Sequence, residues 1–250
     1  SLILSNTLTI IEDFSFCGCN NFTGDLKIPK NIIKIGNYAF TNCSKFTGSL
    51  IIPNSVSIIG NYSFAGCIGF NGYLTISNTV TVISESAFAN CSGFIGILSI
   101  PSSVIIIESY AFFGCSSFSG TLIITEYITY IGNSSFYDCS GFLELEINSR
   151  DIFIGDMAFS STNLSIVSYN SFISPVCGYQ AFPDDQVIRV PFQYNDLLFC
   201  ELDLEQNKNI LKSPPTNKKN AFVFIIALVV FVLIISFFIK NKSTFSRKDY

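Results

Sequence analysis

Apolar and polar positions along this chain follow a pattern that returns every 24 residues. Two columns of phenylalanine keep that step, and a Leu-x-Ile pair and a Val/Ile-x-x-Ile pair follow them in each unit. A column of cysteines keeps the same interval, at Cys19, Cys43, Cys67, Cys91, Cys115 and Cys139. Because one such unit cannot bury its own apolar residues, the pattern predicts a solenoid in which each unit stacks on its neighbours.

Each unit contains segments that predict particular elements. In "GSLIIP" the side chains of Leu50 and Ile52 point to one face and Ile51 to the other, which is typical of a short strand. Stacking then predicts one parallel sheet with strands ~4.8 Å apart. Its strands would be 26–28, 50–52, 74–76, 98–100 and 122–124. The segment "NYSFAGC" predicts a short helical turn that inserts Phe64 into the core.

The unit resembles the BspA-type leucine-rich repeat. The resemblance is carried by "IPKNIIKIGNYAFTNC", "IPNSVSIIGNYSFAGC" and "IPSSVIIIESYAFFGC", and it covers residues 1–192. Phe and an extra Gly stand where the common form has Leu, as in a longer variant found in surface-protein families of parasitic protists. The resemblance implies a curved leucine-rich repeat solenoid, a cell-surface location, a role in adhesion or recognition, and no catalytic residues.

The two ends of the repeat array differ from its middle. Leu2-Ile3-Leu4 already occupies the strand position, so we expect an uncapped first coil and a fragment that lacks its N-terminal cap and earlier repeats. After Phe142 the 24-residue register breaks, and an atypical last repeat is what a solenoid needs to cover its open core. We interpret 193–212 as the tail of this C-terminal cap.

The C-terminal part of the chain predicts a membrane anchor. Residues 213–220 are polar, contain two consecutive prolines, and are interpreted as a juxtamembrane stalk. Residues 221–239 carry no charge and would span ~28 Å as a helix, enough to cross a bilayer. A buried core helix would be amphipathic or shorter, and a glycolipid-anchor signal would end in its apolar tail rather than continue through the polar residues 240–250.

Orientation is not decided by charge, because equal numbers of basic residues lie on the two sides of this run. The family resemblance implies that the repeats are extracellular and that 240–250 form a short cytoplasmic tail. We therefore expect a single-pass protein of the plasma membrane whose residues 221–239 contact membrane lipid.

The regularly spaced cysteines could form a disulfide framework, a metal site or a ladder of free thiols. Zinc motifs need close pairs, which this spacing does not provide, whereas neighbouring coils would lie within disulfide reach. The family resemblance favours a buried structural ladder of free thiols for the six cysteines of the column. Cys177 and Cys200 lie outside it, flank the final strand and form a candidate disulfide of an extracellular domain.

Composition narrows the function. The chain has no His, so Ser-His and Cys-His nucleophiles are excluded, and its net charge of −4 offers no footprint for nucleic acid. We expect neither enzymatic activity nor a cofactor or metal. The prediction is an adhesin or protein-recognition module for a host protein, matrix protein or other surface macromolecule. The alternative is a surface receptor that signals or is internalised through its short tail.

The expected ligand-binding residues are the outward side chains of the predicted strands. Alternation along a strand places them opposite the buried Leu and Ile residues, where they would meet a partner. They are Asp25, Lys27, Ser49, Ile51, Tyr73, Thr75, Ile97, Ser99, Thr121 and Ile123.

Overall fold

The computed structural model describes residues 1–183, 186–191, 194, 198–200, 202–203 and 210–213. These residues contain no helix, and so none that could cross a membrane. The apolar run 221–239 and the tail 240–250 lie outside the described residues, as does the stalk apart from Ser213. The membrane anchor therefore stays a prediction.

The described residues form nineteen short strands arranged as stacked coils. In chain order they are β1 (Ile10–Ile11), β2 (Gly24–Asp25), β3 (Lys34–Ile35), β4 (Phe46–Thr47), β5 (Leu50–Ile51), β6 (Ile58–Ile59), β7 (Leu74–Thr75), β8 (Val82–Ile83), β9 (Ile106–Ile107), β10 (Gly120–Ile124), β11 (Tyr130–Ile131), β12 (Phe142–Ile147), β13 (Phe153–Ile154), β14 (Ile166–Tyr169), β15 (Val176–Cys177), β16 (Val187–Pro191), β17 (Leu198–Phe199), β18 (Leu202–Asp203) and β19 (Ile210–Ser213).

Two stacks of parallel strands run along the solenoid. The Val-x-x-Ile stack consists of β1-β3-β6 and β8-β9-β11-β13-β15. Its register follows the repeat, so that Lys34 lies beside Ile58 and Val82 beside Ile106. The Leu-x-Ile stack consists of β2-β4, β5-β7 and the longer sheet β10-β12-β14-β16-β19. The predicted parallel β-solenoid is therefore confirmed.

The expectation of one continuous Leu-x-Ile sheet is wrong. Residues 26–28 and 98–100 are not strands, and β5-β7 is a separate sheet from β10 and its neighbours. Side-chain oxygens compete here for ladder amides: the amide of Tyr73 donates to Ser49 Oγ, at 2.9 Å. Left-handed glycines precede the strand position, with φ of +74° at Gly48 and +78° at Gly96, but Gly120, with φ of +83°, begins β10, so this turn alone does not end the ladder.

The predicted helical turn is also wrong, because "NYSFAGC" folds as consecutive tight turns. The amides of Ser63, Ala65 and Cys67 donate to the carbonyl three residues earlier, at 3.1–3.3 Å. The alternate amides donate to the next coil instead, as Phe64 does to the carbonyl of Ala87 at 2.9 Å. Left-handed Tyr62, with φ of +57°, permits this alternation, which a helix with uniform dihedrals does not.

Two ladders of phenylalanine rings fill the core. In the first, successive centroids are 5.2–5.6 Å apart and the rings stack nearly parallel, from Phe16 through Phe40, Phe64, Phe88, Phe112, Phe136 and Phe159 to Phe182. In the second, spacings are 5.0–6.3 Å, from Phe22 through Phe46, Phe70, Phe94 and Phe118 to Phe142. Phe40 meets Phe46 edge-on, so the two ladders also pack on each other.

Candidate functional site

The outward residues of the Leu-x-Ile segments form a surface that we call the outward strip. It consists of the ten residues expected to bind a ligand, Asp25, Lys27, Ser49, Ile51, Tyr73, Thr75, Ile97, Ser99, Thr121 and Ile123. All are exposed except Ser49 and Thr121, which are half-buried. The residues between them, such as Leu50 and Leu74, are buried in the core. The structure therefore brings these side chains to one face.

Three large apolar side chains lie at the middle of the outward strip. Ile51, Tyr73 and Ile97 come from successive coils and are 60 %, 61 % and 66 % exposed. Strand β5 pairs with β7 so that Ile51 lies directly beside Thr75. Because the buried Leu and Ile residues beneath hold these segments, the three side chains form an apolar patch on a rigid support, which is typical of a protein-binding surface.

A groove lies beside the N-terminal end of the outward strip. It has a volume of about 760 Å³ and is lined by Asp25, Lys27, Lys30, Ile51 and Asn54, among others. A neighbouring groove of about 660 Å³ shares both lysines. Sequence analysis did not include Lys30 and Asn54. Each directly follows a proline that ends a Leu-x-Ile segment. Because this position recurs in the repeat, the sequence could have identified both residues.

Acidic side chains extend the outward strip toward the C-terminus. Strand β12 pairs with β10 so that Glu144 lies beside Thr121 and Glu146 beside Ile123. The hydroxyl of Thr121 donates to Glu144 Oε2, at 3.2 Å. Sequence analysis missed these residues because the coil before them is shorter than 24 residues, and a one-residue shift of "FLELEI" against the repeat would have found them.

A second exposed face lies on the Val-x-x-Ile stack and was not expected. Its outward column, which we call the second strip, comprises Ile10, Lys34, Ile58, Val82, Ile106, Tyr130, Phe153 and Val176. The rings of Tyr130 and Phe153 stack at 5.3 Å. An apolar residue directly before the buried Ile of most repeats marks this column, and the sequence alone would have been enough to find it.

The cysteine column forms a ladder of buried donors from Cys43 to Cys139. Each thiol donates to the carbonyl of a phenylalanine in the preceding coil, as Cys91 does to Phe64 at 3.0 Å. Cys43, Cys67, Cys91, Cys115 and Cys139 are free and buried, and Cys19 is free and half-buried. The residues are thus placed as structural groups, and the described part of the chain contains no cluster of three or more His, Cys, Asp or Glu able to hold a metal ion.

Burial changes the acidity of these thiols. Desolvation raises the pKa of Cys43 to about 11 and that of Cys115 to about 12, well above the usual value of 9.0. The pKa of Cys67 is raised further for the same reason. The neutral thiol therefore dominates at physiological pH, which suits a hydrogen-bond donor and not a nucleophile.

The C-terminal end of the solenoid is held by a disulfide. Cys177 in β15 is bonded to Cys200, with the Cα atoms 5.0 Å apart. Cys200 lies in the turn between the antiparallel strands β17 and β18. Phe199 packs against Tyr169 and Phe182, with centroids 5.3 Å and 5.9 Å away. The hairpin thus covers the end of the phenylalanine ladder.

Two solved leucine-rich repeat structures match part of the chain. A leucine rich cell surface protein of Faecalibacterium prausnitzii A2-165 is 23 % identical with a TM-score of 0.47, covering 73 % of this chain and 43 % of its own. A leucine-rich repeat protein of Bacteroides ovatus ATCC 8483 is 19 % identical with a TM-score of 0.41, covering 74 % and 72 %. The present chain thus spans less than half of the first structure's length.

No curated protein matches the chain at a significant level. The repeat signature is specific, however. The BspA type leucine rich repeat region matches residues 1–95 and 71–189, in six copies. Together these two ranges cover most of the chain, including every coil whose phenylalanine ladders and thiol contacts are described above. The chain belongs to the BspA-type leucine-rich repeat family.

Proposed function

We propose that this chain is a non-enzymatic recognition module of the cell surface that binds a protein through its outward strip. The observation that carries the proposal is the run of Ile51, Tyr73 and Ile97, which are exposed on successive coils of a rigid core. An apolar and aromatic centre with a polar rim is the usual composition of a protein interface. Asp25 and Lys27 at one end and Glu144 and Glu146 at the other supply that rim.

The outward strip suits selective recognition better than the second strip does. Seven of the eight side chains of the second strip are apolar or aromatic, and Lys34 is its one charged member. The outward strip combines apolar groups with charges of both signs and adjoins a groove of about 760 Å³. Charged groups around an apolar centre fix the orientation of a partner and exclude wrong ones.

The proposed location is extracellular, with a membrane anchor at 221–239 and the tail 240–250 in the cytoplasm. An uncharged run of this length supports the anchor. The Cys177–Cys200 disulfide supports an oxidising compartment for the solenoid. The ladder thiols are compatible with that compartment because they are buried, hydrogen-bonded and neutral.

The test is attachment of cells that display the full chain to immobilised extracellular-matrix proteins and to fixed host cells. Ile97→Asp places a charge at the centre of the outward strip and should weaken attachment by about 30-fold, the loss typical of an interface hot spot. Ile58→Asp is the matched control, since Ile58 is 52 % exposed but belongs to the second strip. Equal attachment of both variants and the native chain, at equal surface abundance, would contradict the proposal.

A further inference from the structure

The coil that contains β15 carries an unusual group of exposed apolar side chains. Phe172, Ile173, Val176 and Tyr179 are 59–68 % exposed, although they lie within eight residues of one another. We call these four residues the terminal patch. Val176 is also the last member of the second strip, beside Phe153 in the preceding coil. The terminal patch therefore continues an apolar surface that includes the stacked rings of Tyr130 and Phe153.

All members of the terminal patch except Val176 replace polar residues of the preceding coil. The corner that corresponds to Phe172 and Ile173 carries exposed Arg150 and Asp151 there. Tyr179 takes the place of Asp156, whose Oδ1 accepts the amide of Tyr179 at 2.8 Å. At Phe172 and Tyr179 the apolar character is thus not a property of the repeat but a change at the C-terminal end of the solenoid, whereas Val176 continues the apolar column of the second strip.

The backbone beneath the terminal patch is firmly held. Ser171 Oγ donates to the carbonyl of Arg150 at 3.1 Å and accepts the amide of Ile173 at 3.2 Å. The hydroxyl of Tyr169 donates to the carbonyl of Ile173 at 2.5 Å. The Cys177–Cys200 disulfide fixes the residue next to Val176. Four large apolar side chains are therefore presented to the outside on a fixed support rather than on a frayed end.

The covalent connection to the apolar run places a bilayer within reach of the terminal patch. Strand β19 ends at Ser213, and residues 214–220 separate it from the run 221–239, a connection that spans at most ~25 Å when fully extended. The coil of the terminal patch contains β14, two strand positions from β19 in the sheet, or ~10 Å along the solenoid. Tyr73, next to β7, lies six coils from β19, or ~29 Å.

We propose that the terminal patch inserts into the interfacial layer of the lipid bilayer to which the chain is anchored. This inference rests on the membrane anchor of the proposed function. Aliphatic and aromatic side chains, tyrosine in particular, are favoured where headgroups meet acyl chains. The solenoid then leaves the membrane at an angle set by this contact.

The chain has no Trp, so a single introduced Trp reports on one position without background. The full chain is reconstituted into nanodiscs of phosphatidylcholine and phosphatidylserine, with or without brominated acyl chains. Phe172→Trp and Tyr179→Trp probe the terminal patch. Tyr73→Trp is the matched control, because Tyr73 is 61 % exposed but distant from the anchor. Brominated lipid should reduce the emission of both patch variants by roughly half and leave Tyr73→Trp unchanged.

Each outcome of this experiment has a distinct meaning. Full emission from Phe172→Trp and Tyr179→Trp in chains that co-purify with discs overturns the lipid contact while leaving the anchor intact. A blue-shifted emission that bromine does not quench also overturns it, because the occupant is then protein, such as a second copy. Chains that do not co-purify with discs contradict the anchor itself and the lipid contact with it.

Discussion

At the scale of the residue, each buried position of the repeat is enclosed by the same or a similar residue type from the coils above and below. The contribution of a side chain therefore depends on how fully those neighbours surround it. Phe88 is completely buried and stacks on Phe64 and Phe112 at 5.6 Å and 5.5 Å. Ser99, on the outward strip, faces solvent. The two positions should respond very differently to the loss of side-chain atoms.

Phe88→Ala should lower the free energy of unfolding by ~3–5 kcal/mol, because it leaves a cavity in a stacked ladder that cannot collapse. Ser99→Ala should change it by less than ~0.5 kcal/mol. Urea unfolding of the two variants, followed by circular dichroism, measures both values. Similar losses in the two variants would contradict the assignment of buried and outward faces.

The ladder thiols predict a pH dependence of stability. The folded-state pKa of Cys115 is about 12 because burial disfavours the thiolate, whereas the unfolded thiol titrates near 9.0. Above the unfolded pKa the unfolded state releases a proton that the folded state keeps, so the free energy of unfolding falls as pH rises. The fall for this group lies between pH 9.0 and about 12 and reaches a slope of ~1.4 kcal/mol per pH unit.

Cys115→Ala isolates this contribution from the titration of lysine and tyrosine in the same range. The variant starts from a lower stability at neutral pH because it loses the thiol hydrogen bond to the Phe88 carbonyl, at 3.1 Å. Its stability should then decline less steeply than that of the native chain from pH 9 upward. Parallel stability curves for the two proteins would show that the buried thiol does not resist ionisation.

At the scale of the element, the repeat interval was sufficient to predict the stacking, the register and the buried columns. It was not sufficient to predict which segments form a hydrogen-bonded ladder with the neighbouring coil. At 98–100 the Leu-x-Ile pattern predicted a strand that the structure does not form, although Gly120, left-handed like Gly96, begins β10. Helical and consecutive tight turns place Phe64 in the core equally well, so the apolar pattern could not separate them. The amide contacts to the next coil decide between them.

The outward strip was also predicted only where the period holds. Side chains from Asp25 to Ile123 follow the 24-residue step and lie on one face. Glu144 and Glu146 belong to the same face, but a shorter coil displaces them, and a bulge between Gly120 and Thr121 shifts the register there. The second strip was missed because the sequence was read for one sheet, whereas two stacks leave an outward column each.

The hairpin of β17 and β18, which covers the C-terminal end of the phenylalanine ladder, should stabilise the solenoid. Cys200→Ser breaks its bond to Cys177 and frees Phe199 from the end of the phenylalanine ladder. The loss should be ~2–4 kcal/mol, the usual effect of removing a disulfide. Thermal unfolding of the full chain in detergent measures it, with Cys17→Ser as the control because Cys17 is exposed and free. An unchanged midpoint for Cys200→Ser would mean that the hairpin does not act as a cap.

At the scale of the whole molecule, we propose a rigid recognition surface held at a membrane by one C-terminal segment. The stacked core fixes the outward strip, and the disulfide holds the C-terminal end of the solenoid, which precedes the proposed anchor in the chain. The proposed topology predicts that protease added to intact cells releases the solenoid by cutting at 213–220. A tag placed after Tyr250 should stay hidden until the membrane is permeabilised. Antibody access to that tag on intact cells would show that the orientation is the opposite of the one proposed.

Deletion of the tail distinguishes a recognition module from a receptor that signals through its tail. Deletion of 240–250 should leave the attachment of cells that display the solenoid largely unchanged, because the partner contacts the outward strip and not the tail. Attachment of cells to the same immobilised matrix proteins measures this, at equal surface abundance. Loss of attachment after the deletion would favour a receptor that acts through its tail.

Site-specific photocrosslinking tests whether the outward strip contacts the partner. A benzophenone amino acid replaces Ile97 in the outward strip or Ile58 in the second strip, both exposed on the same solenoid. The displayed chain is irradiated with the matrix protein to which native cells attach. We expect a covalent adduct from position 97 and none from position 58. An adduct from position 58 alone, or equal adducts from both, would contradict this expectation.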